Sequence, residues 1–307
     1  MKVQSLSIAV PAGCTNRCEF CVSGLHNQDR ASYGNQIEDN FQFKDLYERD
    51  YMDALSFSRD NGCNTMMFTG DGEALLNRTF MEMVSTLNKR LASPFRWIEL
   101  QTSGVFLTQK AENGGEKYLR WLRDYIRVKT ISLSLSSVWS SSENASYNRP
   151  RNNNAFVDIE ETCKAIKKYD FSLRLSLNMT DFYDEKTPAE IFCRAEKLGA
   201  DQVTFRVLYN IDHPQDDQEQ AINDWILDHR CQDDKIEEIN QYIREHGRPL
   251  ERLPFGAVRY SVHGMSCVLD SDCMNSKEEL KNEVKYLILR PNCKLYTKWD
   301  DKGSVLF

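Results

Sequence analysis

Three cysteines, Cys14, Cys18 and Cys21, stand in the stretch AGCTNRCEFC, with three and then two residues between them. Thiolates this close along a chain can converge on one inorganic centre. A closed four-iron cube takes four thiolates, so three leave one iron open to an outside ligand. A zinc site would want a fourth Cys or His, and His26 is the histidine at hand. Buried thiols that fell at this spacing by chance are the third reading. An apolar run over residues 6–10 leads in as a strand, and Pro11 and Gly13 are expected to end it and open a loop.

The elements that would position these cysteines alternate between short β-rich runs and longer amphipathic ones. Strands are expected near residues 3–10, 65–69, 97–101, 128–136, 172–179 and 202–209. Helices are expected at 45–61, 78–91, 116–125, 156–169 and 188–198, the last with Pro188 in its first turn and Gly199 at its end. Such β-then-α units imply a parallel sheet, because each crossover needs a helix. Six units fall short of a closed eight-unit barrel. The expected fold is therefore α/β, a partial (β/α)6 TIM-like barrel over residues 1–212. Residues 213–307 read as a helical and β extension covering the barrel opening. Its acidic helical part, 216–246, is expected to break near 231–234. Strands follow at 257–263, 283–289, 294–298 and 303–307, with turns between the last of them.

In β/α barrels the working residues sit past the C-terminal ends of the strands. After the second strand comes Thr69-Gly70-Asp71-Gly72-Glu73, and after the third Gln101-Thr102-Ser103-Gly104. The two glycines would let backbone approach a ligand closely. In the fourth strand Ser132, Ser134 and Ser136 alternate with Ile131, Leu133 and Leu135, so the hydroxyls share one face. Buried hydroxyls need partners, and a polar, ligand-filled lumen would supply them; an edge strand in water is the plainer reading. Asn178 and Arg206 stand near the ends of strands five and six.

The cysteine spacing, with Phe20 before the last cysteine, resembles the cluster motif of the radical SAM superfamily. Gly70, Asp71, Gly72 and Glu73 resemble that family's glycine–glycine–glutamate turn, with Asp71 separating the glycines. Thr102 lies in a segment similar to its threonine–asparagine–glycine, with Ser103 in place of asparagine. Arg151 lies where related enzymes often carry an arginine. The resemblance covers about residues 3–210. It implies a 4Fe-4S cluster on Cys14, Cys18 and Cys21, with S-adenosyl-L-methionine chelating the open iron through its amino and carboxylate groups. One-electron cleavage then releases a 5′-deoxyadenosyl radical. By the same resemblance Glu73 meets the cofactor's amino group, and Ser134 its carboxylate or ribose. Asn178 and Arg206 are further cofactor contacts. An electron donor such as flavodoxin or ferredoxin and an oxygen-sensitive centre are also implied.

The tail decides the substrate. In residues 257–263, Arg259, Ser261 and His263 share one face and are candidate substrate contacts if that face looks into the barrel. Cys267, Cys273 and Cys293 could hold an auxiliary cluster or donate a hydrogen atom. Cys63, Cys163 and Cys193 read as inert core residues. Asp212, His213, His229 and Cys231 read as surface.

The whole chain sets bounds on these readings. It has 307 residues, 41% of them apolar and 28% charged, which suits an ordinary globular core. Its net charge of −7 argues against nucleic acid as a partner, since phosphate binding wants a basic face. Ten cysteines and a polar N-terminus unlike a signal peptide point to reduced thiols in the cytoplasm. No apolar run is long enough to span a membrane. The expected function is radical chemistry on a small molecule, a nucleotide or metabolite. A peptide-modifying maturase, with or without an auxiliary cluster, is the alternative. A non-catalytic zinc- or cluster-binding module is the remote one.

Overall fold

The computed structural model describes residues 2–21, 23, 44–108, 115–151, 156–210, 213–214, 216–253, 258–270, 283–299 and 302–306. His26, Asp212 and Cys273 lie outside the described residues. The chain runs β1 (Lys2–Gly13), α1 (Lys44–Asp60), β2 (Thr65–Gly72), α2 (Arg78–Arg90) and β3 (Trp97–Thr102). Short α3 (Val105–Thr108) and α4 (Glu116–Trp121) precede β4 (Thr130–Leu135). Then come α5 (Ser141–Asn148), α6 (Ile159–Lys168), β5 (Ser172–Met179), α7 (Pro188–Lys197) and β6 (Gln202–Val207). Two helices, α8 (Asp217–His229) and α9 (Asp233–His246), lead into β7 (Arg248–Arg252), β8 (Val258–Val262) and β9 (Met265–Asp270). The last strands are β10 (Glu283–Leu289) and β11 (Leu295–Tyr296).

Local sequence explains most of these elements. In α7, Thr187 and Glu190 form a reciprocal capping box, Pro188 opens the helix, and Gly199 follows it at φ 77°. In α6, Ile159, Thr162, Cys163 and Ile166 are buried at helical spacing behind an Asp158 cap. Helix α5 has no such apolar stripe: its buried residues are Asn144 and Asn148. The sequence reading missed it for that reason.

All strands join one sheet in the order β11-β10-β1-β2-β3-β4-β5-β6-β9-β8-β7. Its run from β10 through β1–β6 to β9 is parallel throughout. The terminal strands β11 and β7 do not pair with each other, so the sheet is a partial, open barrel. Along β4, Ile131, Leu133 and Leu135 are buried against the helical layer, as are Leu173, Leu175 and Leu177 of β5. Burying each such side chain contributes about 1.5–3 kcal/mol.

The structure corrects the sequence reading at both ends of the chain. Pro11 and Gly13 do not end β1; after a register shift past Val10, Gly13 still pairs with Gly72. The tail strands do not pair in sequence order. Strand β9 adds to β6, whereas β10 crosses to the other edge and lies parallel to β1. Neither β7 nor β9 was expected, and where a strand was expected at 303–307 the described residues 302–306 form a 3-10 turn, Lys302–Ser304, and a bridge from Val305 to Tyr296. Free sheet edges decided these pairings, and local periodicity does not report them.

The tightest backbone packing joins β1 to the end of β2. A Cβ on Gly72 would stand 2.4 Å from the Gly13 carbonyl oxygen and 2.7 Å from that of Pro11. Gly70, at φ 116°, has Ala9 Cα 2.9 Å from the same position. The glycines thus admit β1, the strand that carries the cysteine loop. Gly72→Ala is expected to lower unfolding free energy by about 1–3 kcal/mol in urea titration. A change below about 0.5 kcal/mol, the size of an ordinary surface substitution, would show that this contact is not tight.

Candidate functional site

The cysteine loop leaves β1 and is strapped from the side by the segment after α5. Arg17 N donates to Arg149 O at 2.9 Å, and Arg151 N to Thr15 O at 2.9 Å. Arg151 Nε donates to Asn16 O at 3.3 Å, and Arg149 pairs with Glu19. Asn148 does most. Its carbonyl accepts from the Cys18 thiol at 3.4 Å, and its Oδ1 accepts from Ser136 Oγ at 2.9 Å. Asn144 Oδ1 accepts from Ser136 N at 2.8 Å and from Asn148 Nδ2 at 3.2 Å. These two buried asparagines connect the end of β4 to the cysteines. Only an i, i+4 pair of asparagines in a polar octapeptide could have signalled them.

The other side of the loop is apolar. Phe20 packs with Leu208 and Ile226, and its ring lies 5.8 Å from Trp225. Trp225 in turn stacks on His229 at 4.3 Å. His229 is thus part of an aromatic stack. Cys231 is buried and donates to Asp184 Oδ1 at 3.0 Å, which corrects its reading as surface; Cys193 is exposed, which corrects its reading as core, while Cys63 and Cys163 are buried as expected.

Burial raises the thiol pKa of Cys14 and, more strongly, of Cys18; neighbouring thiolates of the same loop add to both shifts. The thiols therefore sense one another's charge. Among the described residues, no three His, Cys, Asp or Glu side chains are set to hold a single metal ion. A four-iron cube spreads its thiolates over separate corners, wider than the shell of one ion. Three thiols on one loop suit such a cluster with an open corner. Thr15 Oγ1 and Asn16 Oδ1 in that loop are buried without a hydrogen-bond partner among the described residues.

Cys18 and Cys21 open onto a cavity of about 470 Å3 that runs along the inner face of the sheet. Its wall carries Ser5 and Ser7 of β1, Ser132 and Ser134 of β4, and Ser176 of β5. Of the alternating serines, Ser132 and Ser134 thus face the lumen, whereas Ser136 is buried and bonded to Asn144 and Asn148. Ser132 Oγ is buried there with no partner among the described residues. Asn178 Nδ2 reaches Ser134 Oγ and Ser136 Oγ, both at 3.3 Å. Deeper in the lumen Arg174 pairs with the buried Glu99 and donates to Gln202 Oε1 at 2.7 and 2.9 Å.

Glu73 and Thr102 do not line this cavity. The Glu73 carboxylate is 3% exposed and accepts from four protein donors. Leu75 N at 3.2 Å and Thr102 Oγ1 at 2.7 Å meet Oε1; Ser103 N at 2.9 Å and Ser103 Oγ at 2.7 Å meet Oε2. That fills the roughly four lone-pair positions of a carboxylate and ties the end of β2 to the end of β3. Asp71 does line the cavity, and its Oδ2 accepts from Arg290 Nη1 at 2.9 Å. Arg290 is 2% exposed, donates to Trp299 O at 2.7 Å, and lies over the Tyr296 and Trp299 rings. Sequence reasoning missed Arg290, because nothing local marks a residue whose partner stands 219 positions away.

Among the tail residues, Arg259 lines the cavity and pairs with Glu251 of β7. His263 does not. It sits in the β8–β9 turn, at the end of the sheet where β6 and β9 begin, away from the cysteine loop. There its Nε2 meets Tyr242 OH at 3.1 Å and its ring lies 5.9 Å from Phe192. The face shared by Arg259 and His263 therefore spans both ends of a strand, and only Arg259 reaches the lumen. Cys267 and Cys293 belong to opposite edges of the parallel run. Cys267 is buried on the side away from Ser266 and Val268, which line the cavity, and burial pushes its thiol up to about 12. Cys293, at φ 66° after β10, is likewise pushed up to about 12 by burial.

The Radical SAM superfamily profile matches residues 8–191, more than half of the chain. No curated protein matches it. Among solved structures, coproporphyrinogen III oxidase (HemN) from Escherichia coli, a radical SAM enzyme, aligns at TM-score 0.52 and 13% identity over 94% of this chain and 63% of its own. The structure of anSMEcpe with bound AdoMet and Cp18Cys peptide aligns at TM-score 0.50 and 12% identity, over 80% and 59%. The chain thus spans about 60% of the length of these structures, and at such identity the likeness is one of fold. With that fold and a family match over most of its barrel, the chain belongs to the radical SAM superfamily.

Proposed function

We propose that this chain is a radical SAM enzyme acting on a small molecule held in the lumen of the partial barrel. The observation that carries this reading is that Cys18 and Cys21 open onto the same cavity as Ser132, Ser134 and Asn178. When bound, a 4Fe-4S cluster and S-adenosylmethionine supply one-electron cleavage of a sulfonium bond and a primary carbon radical for hydrogen abstraction. The chain's own residues hold and insulate. Cys14, Cys18 and Cys21 offer three thiolates, and Asn148 fixes their loop against β4. Phe20, Leu208 and Ile226 keep water from one flank of the loop. Serine hydroxyls and Asn178 offer donors and acceptors to a nucleoside-like cofactor, with no thiol other than those of the loop among the described wall residues. A cavity of about 470 Å3 lies in the ordinary range for ligand sites, about 300–1,000 Å3. That favours a small substrate beside the cofactor. Among the described residues no helix is long and apolar enough to cross a membrane. Reduced thiols and an oxygen-sensitive centre suit the cytoplasm, with flavodoxin or ferredoxin as the class of electron donor.

Anaerobic reconstitution tests the centre. The wild type is expected to take up about four irons per chain and to release 5′-deoxyadenosine from S-adenosylmethionine under dithionite. The Cys14/Cys18/Cys21 triple alanine variant is expected to do neither. Zinc in place of iron in the wild type would overturn the reading, and iron retained in the variant would remove these ligands from it.

Glu73→Gln separates a structural role from a direct one. An amide cannot accept from all four donors, so unfolding free energy is expected to fall by about 1–3 kcal/mol while iron content holds. Unchanged stability with lost S-adenosylmethionine affinity would return Glu73 to direct contact with the cofactor.

A further inference from the structure

The lumen inverts the charge of the chain. The protein carries 46 acidic against 39 basic residues, yet the described cavity wall holds four arginines and one carboxylate, Asp71. Three of the arginines have acidic partners: Arg174 has Glu99, Arg259 has Glu251 and Arg290 has Asp71. Arg206 differs. No hydrogen bond or ion pair reaches it from the described residues, and its Nε is shut off from solvent.

A shielded guanidinium nitrogen without an acceptor is costly, and native structures satisfy such groups. Arg206 faces the cavity from the end of β6, level with Asn178 on β5 and with the backbone of Asp270 on β9. Arg259 comes to the same cavity from β8, the strand beyond β9, and its Nε also lacks a partner among the described residues. Two guanidiniums from one flank of the sheet can grip one anionic group, because the planar fork matches carboxylate and phosphate oxygens.

The cofactor does not answer this need. S-adenosylmethionine carries an ammonium, a sulfonium and one carboxylate, hence a net positive charge, and the family resemblance sends its carboxylate to the open iron. A thiolate-bound cluster would offset the cofactor's positive charge, so among the described wall residues the Arg206 guanidinium is left to an anion from elsewhere. We propose that Arg206, with Arg259 two strands away on the same cavity wall, binds a carboxylate or phosphate group of the substrate, so that the substrate is a small anionic metabolite. This rests on the radical SAM reading above, and it moves Arg206 from a cofactor contact to a substrate contact.

The test titrates succinate and inorganic pyrophosphate into reconstituted protein, with and without S-adenosylmethionine, by calorimetry. Wild type, Arg206→Met, Arg206→Lys and Arg259→Met are compared. Wild type is expected to bind at least one probe, and the tighter probe tells carboxylate from phosphate. Arg206→Met is expected to bind that probe at least tenfold more weakly while S-adenosylmethionine affinity stays within twofold. Arg206→Lys should fall between, keeping the charge and losing the fork, and Arg259→Met should weaken the same probe. Without a probe, Arg206→Met should melt at or above the wild-type temperature, because the variant removes an uncompensated cation. Equal probe affinity in wild type and Arg206→Met, or no probe binding by wild type, overturns the proposal. So does a loss of S-adenosylmethionine affinity in Arg206→Met, or a melting temperature lowered by more than a few degrees. Failure of the wild type to cleave S-adenosylmethionine would instead sink the radical SAM reading, and the probe affinities would still be read without it.

Discussion

A sheet with a polar inner face must have something polar to enclose. In a closed eight-unit barrel, branched apolar side chains fill the interior in layers. Here the inward positions of β1, β4 and β5 carry Ser5, Ser7, Ser132, Ser134 and Ser176, while Ile131, Leu133, Leu173 and Leu175 turn outward to the helices. Hydroxyls of that kind cannot pack a dry core, since each brings a donor and two acceptor sites. The open barrel, the cavity and the placement of the cysteine loop above it are consistent solutions to that one constraint.

The cysteine loop depends on a helix whose one aromatic anchor is Tyr147, with its ring edge-on to Trp225 at 6.3 Å. Helix α5 is otherwise mostly polar, and such helices need specific bonds to persist. Ser140 caps it, and Asn144 and Asn148 bind Ser136 on one side while the Asn148 carbonyl meets Cys18 on the other. Position is thus passed from a rigid strand to a thiol through four hydrogen-bonding groups. The loop's other supports, Phe20 under Trp225 and the backbone bridge from Asn16 to Pro150, fix its remaining flanks.

The parts of this fold that repeat locally were legible in the sequence. Strand β5 has the bounds expected of it, and α7 starts at Pro188, as that proline predicts. The lumen-facing serines were also legible, because a period of two assigns faces without knowledge of neighbours. What stayed hidden depends on distant partners. Glu73 reads as a ligand-binding acid until Thr102 and Ser103 are seen to occupy it. Asp71 reads as an odd insertion between glycines until Arg290 reaches it from β10. The destination of β10, beside β1 and not beside β9, is set by which edge was free. His263 shares a face with Arg259 in the sequence, but a face runs the length of a strand, and the barrel has working residues at one end only.

The tail strands therefore do more than enclose the barrel. Strand β9 extends the parallel run at one edge and β10 at the other, and each edge brings an arginine into the lumen: Arg259 through the β7–β8–β9 meander, Arg290 at the end of β10. Arg290 is spent on Asp71 and the Trp299 carbonyl, and so secures the turn after β2. Arg259 keeps one buried nitrogen without a partner among the described residues, and so does Arg206, two strands away on β6. The six β/α units provide the scaffold on which the family implies a cluster and cofactor, while the strands added at its edges bring further charge to the space that remains. In a wall already carrying these cations, a neutral or cationic substrate would leave Arg206 as costly after binding as before. An anionic one turns that cost into affinity.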